Sequence, residues 1–211
     1  MKVYFHTDPA LQIPRPHPWG TAVDNPFERY YDFKTNPALI PEVLEDFKPR
    51  RNFEAVRTFY ALLRWLNGPE SSFESNDCAF RGPRPNQTRS VEKPRECCGR
   101  LMILYRQLEL NLSAPTIDRL EQGFHYYLVS IDPGFDWGVV GTTRARVDYT
   151  AFPEALGDGQ QVCLSFWAWG DHDEEAMANL NRVFLAIHQC VRLLSRDINQ
   201  ALLEPGLEPT R

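Results

Sequence analysis

The strongest pattern in the chain is an apolar stripe near its C-terminus. Hydrophobic residues recur there at alternating spacings of three and four over about 25 residues, with polar residues between them. Such spacing puts the apolar residues on one side of an α-helix, so the pattern predicts a long helix that packs this side on a core. The stripe consists of Met177, Leu180, Phe184, Ile187, Val191, Leu194 and Ile198.

Similar spacing predicts further helices over residues 53–66, 101–110 and 116–131, and a short helix over about 41–47. The sequence Asn-Gly-Pro at 67–69 ends the first of these. Asn and Gly tolerate the left-handed backbone that closes many helices, and Pro cannot continue a helix because it lacks an N–H group. With the C-terminal helix, the chain is expected to form at least four helices.

Alternation of apolar and polar residues predicts two β-strands. In residues 143–149, uncharged side chains alternate with charged ones, which indicates a strand with one side in water. Residues 161–169 carry no charge on either side, which indicates a central strand. The Leu-Gly-Asp-Gly sequence at 156–159 predicts a turn between them, so the two strands are expected to pair as an antiparallel hairpin.

The two ends of the chain lack a regular pattern. Residues 1–47 hold seven of the 17 prolines but also many aromatic residues, so we expect a proline-rich arm that packs on the body of the protein. Residues 203–211 contain two prolines and one glycine and are expected to form a frayed tail.

Residues 68–99 are predicted to form a long loop, because they contain four prolines, many polar residues and no clear period. From Arg81 to Arg106 there are seven basic and two acidic residues, a local charge of +5 in a chain whose net charge is −5. A solvated basic loop is the first expectation for this segment. Docking to an acidic patch of a protein partner or to a small anion is the second.

These elements predict an α+β fold in a single domain that spans residues 1–211. We expect a small antiparallel sheet in which the C-terminal β-hairpin is packed by the long C-terminal helix. A chain of 211 residues is long enough to bury a core without disulfide bonds.

Composition is that of a globular protein, with 43% hydrophobic and 24% charged residues. The odd number of five cysteines favours reduced thiols. Because the chain has no apolar run that could cross a bilayer and no signal-like N-terminus, it is expected to be cytoplasmic and to stay off membranes.

The segment Phe73–Pro83 has the densest group of chemically useful side chains. Carboxylates, a thiol and a guanidinium at this spacing could provide acid–base chemistry, a nucleophile or an anion site, with a wall of tryptophans from the last strand. The alternative is a turn whose polar side chains bond to local backbone while Phe73, Cys78 and Phe80 anchor it. The candidate site residues are Glu74, Asn76, Asp77, Cys78, Arg81, Trp167 and Trp169.

Other motifs favour structural interpretations. The acidic residues 171–175 suit the first turn of the C-terminal helix, where they complement its dipole. The adjacent Cys97 and Cys98 lack the two-residue gap of a zinc motif. The chain has no Gly-rich phosphate loop, metalloprotease motif or nucleophile elbow. We therefore expect no metal and no cofactor.

These observations favour a noncatalytic binding or protein-interaction factor of the immunity or regulatory type. The alternative is an enzyme or small-anion-binding protein whose pocket is formed by residues 73–81 and the strand that carries Trp167 and Trp169. Nucleic acid is not an expected partner, because no aromatic residue stands between Phe80 and Tyr105 in the basic segment and the rest of the chain is acidic.

Overall fold

Helices and strands alternate in short groups along the computed structural model, which describes residues 1–6, 13–17, 31–149 and 157–203. Short 3-10 helices occur at Pro37–Leu39, Lys48–Arg50 and Leu108–Leu112. The α-helices of the described residues are α1 (Ile40–Val43), α2 (Glu54–Asn67), α3 (Ala114–Ile131) and α4 (Asp173–Leu203). The strands are β1 (Lys2–Phe5), β2 (Arg15–Pro16), β3 (Phe73–Pro85), β4 (Arg95–Tyr105), β5 (Gly138–Asp148) and β6 (Asp158–Gly170).

The six strands of the described residues form one mixed sheet. Its order is β1-β5-β6-β4-β3, and β2 also pairs with β5. The four long strands are antiparallel, while β1 and β2 lie parallel to β5 along one edge. The α+β class, the antiparallel C-terminal strand pair and the long C-terminal helix are confirmed. The arm contributes the two parallel strands that make the sheet mixed.

The core lies between one face of this sheet and the helices. Leu180, Phe184 and Ile187 of the α4 stripe are fully buried, and the Phe184 ring lies 4.9 Å from that of Phe166 on β6. The helix α2 lies beside α4, where Thr58 donates a hydrogen bond of 2.6 Å to an asparagine of α4. No helix in the described part of the chain is long and apolar enough to cross a membrane.

The prediction of a loop over residues 68–99 is wrong, because this segment forms most of a β-hairpin. Strands β3 and β4 pair from Phe73 opposite Tyr105 to Pro85 opposite Arg95. Two irregularities interrupt the pairing, between Ser75 and Cys78 and between Arg81 and Arg84, and they destroy the two-residue alternation that marks a strand in a sequence. The prolines are tolerated because β3 is an edge strand.

The prediction of a helix over residues 101–110 is also wrong. Residues 101–105 belong to β4, which lies between β3 and β6 and is buried on both faces at this end. A short, continuous apolar run fits a buried strand and a buried helix equally well, so its period could not distinguish them. Only a 3-10 helix, Leu108–Leu112, follows it.

Helices α2 and α3 lie where the sequence predicts them, and α1 begins one residue before the predicted short helix. In the predicted turn at 156–159, Gly157 has a φ of +76° and leads into β6, whereas Leu156 lies outside the described residues. Residues 204–211 of the predicted tail also lie outside them.

The α4 stripe can be tested with two leucines of the same helix. Leu180 is fully buried, whereas Leu185 is 51% exposed. Leu180→Ala should lower the free energy of unfolding by about 2 to 5 kcal/mol because it leaves a cavity in the core. Leu185→Ala, the matched control, should change it by less than about 1 kcal/mol. Urea denaturation measures both, and equal effects would contradict the assigned buried side.

Candidate functional site

The sheet face opposite the helices carries most of the predicted site residues. On β6, Leu164 and Phe166 point to the helices and are buried in the core, so the alternation of a strand turns Ser165 and Trp167 to the other face. We call this the arm face, because Arg15, His17 and Lys34 of the N-terminal arm contact it.

At one end of the arm face, Glu74 binds the arm through two basic side chains. Its carboxylate oxygens lie 2.7 Å from Nε2 of His17 and 2.7 Å from Nζ of Lys34. Glu74 is only 2% exposed. A buried carboxylate is costly unless it is paired, so these contacts stabilise both the strand and the arm that lies on it.

A chain of side-chain amides orients His17. Gln161 donates to the backbone carbonyl of Arg146 and accepts a hydrogen bond of 3.1 Å from the amide nitrogen of Asn76. The oxygen of Asn76 therefore faces Nδ1 of His17, at 3.1 Å. Both ring nitrogens of His17 therefore face oxygen atoms, Nδ1 that of Asn76 and Nε2 that of Glu74.

Burial acts to raise the pKa of Glu74, but hydrogen bonds from His17 and Lys34, together with their charges, hold it below its ordinary value. The carboxylate is therefore ionised at neutral pH and serves as an anchor. Its partners are remote in sequence, which differs from the predicted alternative of a local turn.

Asp77 holds a second contact between the arm and the sheet. Its carboxylate accepts a hydrogen bond of 2.8 Å from Nε of Arg100 and lies 3.6 Å from the guanidinium of Arg15 on β2. Together with Glu74 and Asn76, Asp77 forms what we call the arm cluster. These three candidate site residues are therefore adjacent, but each is engaged by groups of the protein itself.

Cys78 lies apart from the arm cluster. It pairs with Leu101 on the helix side of the sheet and packs against the core. Burial raises the pKa of the Cys78 thiol far above its ordinary value. Burial also raises the pKa of Cys97 to about 12 and that of Cys163 to about 11. The pKa of Cys98 is raised for the same reason. At neutral pH these thiols are protonated, which makes them poor nucleophiles.

The more open part of the arm face is a row of side chains that crosses five strands. The register places Lys2, Val139, Trp167, Cys98 and Arg81 side by side in this order. We call this set the cross-strand row. It brings together Arg81 and Trp167, two candidate site residues that are 86 positions apart in the sequence.

An aromatic stack covers the middle of this row. The ring of Tyr4 lies 6.3 Å from that of Trp167, with an angle of 27° between their planes, and Tyr4 is 40% exposed. Gly141 makes the stack possible, because a Cβ atom there would lie 3.2 Å from the Tyr4 ring. Arg81 is exposed and forms no ion pair with any described residue.

Trp169 lies in the next row, opposite Glu96, which Arg84 pairs with at 2.8 Å. It is only 5% exposed, and its indole nitrogen has no hydrogen-bond partner within the described residues. Trp169 is therefore buried beside the row and offers little surface to a ligand.

The basic segment is not a solvated loop, because most of its charges are paired within the protein. Lys93 contacts Asp171 at 2.5 Å, and Arg95 contacts Asp173 at 2.5 Å. Arg106 donates a 2.6 Å hydrogen bond to the carbonyl of Gly68 at the end of α2. The acidic residues just before and within the first turn of α4 thus pair with two of the cations. The described ranges contain no group of three or more His, Cys, Asp or Glu that could hold a metal ion.

Sequence reasoning missed the arm residues that complete the site: His17, Lys34 and Tyr4. The aromatic residues of the arm indicate that it packs somewhere, but no local pattern indicates on which strand. His17 and Glu74 are 57 positions apart, so only the fold brings them together.

Comparison with known proteins yields no match: no family model, no curated protein and no solved structure is significantly similar to this chain.

The anchoring role of Glu74 predicts a pH-dependent effect. Glu74→Gln removes the buried carboxylate that pairs with His17 and Lys34, so the free energy of unfolding at neutral pH should fall by about 3 kcal/mol. The folded pKa of Glu74 is lowered, so its stabilisation is present above the ordinary value of 4.5 and is lost as pH falls through the folded pKa. Urea denaturation should therefore show the variant approaching the natural protein in acid.

The matched control is Glu92→Gln, because Glu92 is exposed. This variant should stay close to the natural protein at every pH. If the Glu74→Gln deficit persists undiminished in acid, the ion pair is not its cause.

The two adjacent cysteines test which face of β4 is turned to the helices. Cys97 is fully buried on the helix side, with Sγ 3.5 Å from Sδ of Met177, whereas Cys98 lies half-buried in the cross-strand row. Iodoacetamide should therefore label Cys98 first in the native protein, as peptide mass spectrometry can show. Cys98→Ser should remove this early label and Cys97→Ser should keep it. Early labelling of Cys97 would mean that β4 presents the opposite face.

Proposed function

We propose that this chain is a noncatalytic interaction factor, of the immunity or regulatory kind, that docks an acidic surface of a protein partner on its cross-strand row. The observation that carries the proposal is the coincidence of positive charge and an exposed aromatic stack on the arm face.

Charge on the arm face is opposite in sign to that of the whole chain, which is −5. The described side chains there include six of Lys or Arg type but only three carboxylates, so the face attracts anionic partners. The cations are Lys2, Arg15, Lys34, Arg81, Arg84 and Arg100, and the carboxylates are Glu74, Asp77 and Glu96.

The composition of the row also fits protein recognition. Tyrosine, tryptophan and arginine are the residues that most often dominate binding energy in protein interfaces. Tyr4 and Trp167 form a stack, and Arg81 lies two strands from Trp167 in the same row, without an ion pair among the described residues. The row therefore supplies an anchor for apolar contact and a charge that a partner's carboxylate can pair with.

Catalysis has less support. The carboxylates of Glu74 and Asp77 are held by cations of the protein, and burial keeps the thiols of the site protonated. His125 is stacked under Phe5 at 3.6 Å, and burial lowers its pKa. None of these groups combines the exposure and the acid–base partner that a catalytic residue requires.

The test compares two arginines of the β3–β4 hairpin. The purified chain is used to capture a protein partner from lysate. That partner is then purified, and its binding to the chain is measured by calorimetric titration. Arg81→Glu should raise Kd at least about tenfold, because it places a negative charge against an acidic partner surface. Tyr4→Ala should weaken binding several-fold. The control is Arg89→Glu, since Arg89 is exposed but lies outside the row, and it should leave Kd within about twofold.

Three outcomes would contradict the proposal. The first is full affinity of the Arg81→Glu variant. The second is capture that nuclease treatment abolishes, which would indicate nucleic acid. The third is saturable binding of phosphate or citrate that depends on Arg81, with no protein partner, which would favour the small-anion alternative.

A further inference from the structure

A carboxylate occupies a core position of helix α3. The apolar stripe of this helix includes Ile117, Phe124 and Leu128, and Glu121 stands between them, four residues after Ile117 and three before Phe124. Residues at these spacings share one side of a helix. Glu121 therefore points inward with the stripe, and it is only 8% exposed.

Glu121 lines a cavity of about 480 Å³ between β1, α3 and β5. The cavity lies beside the part of β5 that neither β1 nor β2 pairs with, because β1 reaches Thr142 and β2 begins at Val147. Its volume is within the range of small-molecule sites, roughly 300 to 1,000 Å³. The other lining residues are Phe5, His6, Asp118, Gln122, Thr143 and Arg144.

The carboxylate of Glu121 lacks a hydrogen-bond donor. Its only charged contact among the described residues is Nε of Arg144, at 3.7 Å, which is too long for a hydrogen bond. Arg144 instead directs a hydrogen bond of 2.5 Å to Asp118. Buried polar groups nearly always have hydrogen-bond partners in the protein or in water, so this carboxylate is free to accept from a molecule that enters the cavity.

The chemistry of the lining specifies the donor as a cation. Among the described lining residues, the carboxylates of Asp118 and Glu121 outnumber the single guanidinium, that of Arg144, which favours a cation. The ring of Phe5 also lines the cavity, and its stack on His125 holds it in place. An aromatic face attracts a cation, and an ammonium group can donate to Glu121 at the same time.

We propose that this cavity binds a small organic ammonium ion, whose N–H groups donate to Glu121 and whose charge lies against the ring of Phe5. The site is separate from the cross-strand row and does not depend on the proposed partner.

The probe is n-butylammonium, titrated into the isotopically labelled full chain and followed by NMR. The amide signals of Glu121 and Thr143 should shift with a Kd on the order of 1 mM, as suits so small a ligand. The neutral analogue 1-butanol should bind at least tenfold more weakly. Tetramethylammonium, which has the charge but no N–H donor, should also bind more weakly.

Glu121→Gln should raise Kd for n-butylammonium at least tenfold. This variant should still fold, because it replaces a buried charge by a neutral group of the same shape. Phe5→Ala, at a position that is 58% exposed, should raise Kd several-fold. Glu109→Gln is the matched control, since Glu109 is exposed and outside the cavity, and it should bind like the natural protein. Equal affinity in Glu121→Gln, or binding of 1-butanol as tight as that of n-butylammonium, would overturn the proposal.

Discussion

The rest of the arm face depends on the ion pairs of Glu74. Helices cover one face of the sheet, and the N-terminal arm contacts one end of the other face. The carboxylate of Glu74 is 2% exposed and needs partners, which His17 and Lys34 provide. The hydrogen bonds that fix His17 in turn join Asn76 of β3 to Gln161 of β6, and Gln161 to the backbone carbonyl of Arg146 on β5. The arm is therefore held by charge as well as by apolar contact.

Most charges of the β3–β4 hairpin pair with other groups of the protein, so few of them are left to contact a partner. In the basic segment, Lys93 and Arg95 form ion pairs with acidic residues at the start of α4, and Arg106 donates a hydrogen bond at the end of α2. These contacts stabilise the packing of the hairpin against the helices. Arg81 remains exposed in the cross-strand row, two strands from Trp167. A segment that is mostly basic in sequence thus has one part whose charges pair within the fold and another, Arg81, that we propose as a contact for a partner.

Two of the wrong predictions have the same physical origin. Strand β3 contains two irregularities that shift its side chains, so a two-residue period is not visible over its length. Residues 101–105 of β4 are apolar on both faces because β4 is central, and such a run has no period at all. Where one side of an element is apolar and the other polar, as in α2, α3 and α4, the predictions are confirmed, because burial on one side leaves its period in the sequence.

The sequence by itself determined the α+β class, the helices α2, α3 and α4 and the antiparallel pairing of β5 with β6. These depend on contacts between near neighbours, which local patterns record. For the candidate site, the sequence determined the residue types but not their roles. In the structure, Glu74 and Asp77 anchor the arm, and Cys78 packs against the core. Only the tertiary structure decided this, because strand register and arm docking join residues far apart in the chain. No local pattern carries that information, since the free energy of each contact depends on both partners being brought together by the fold.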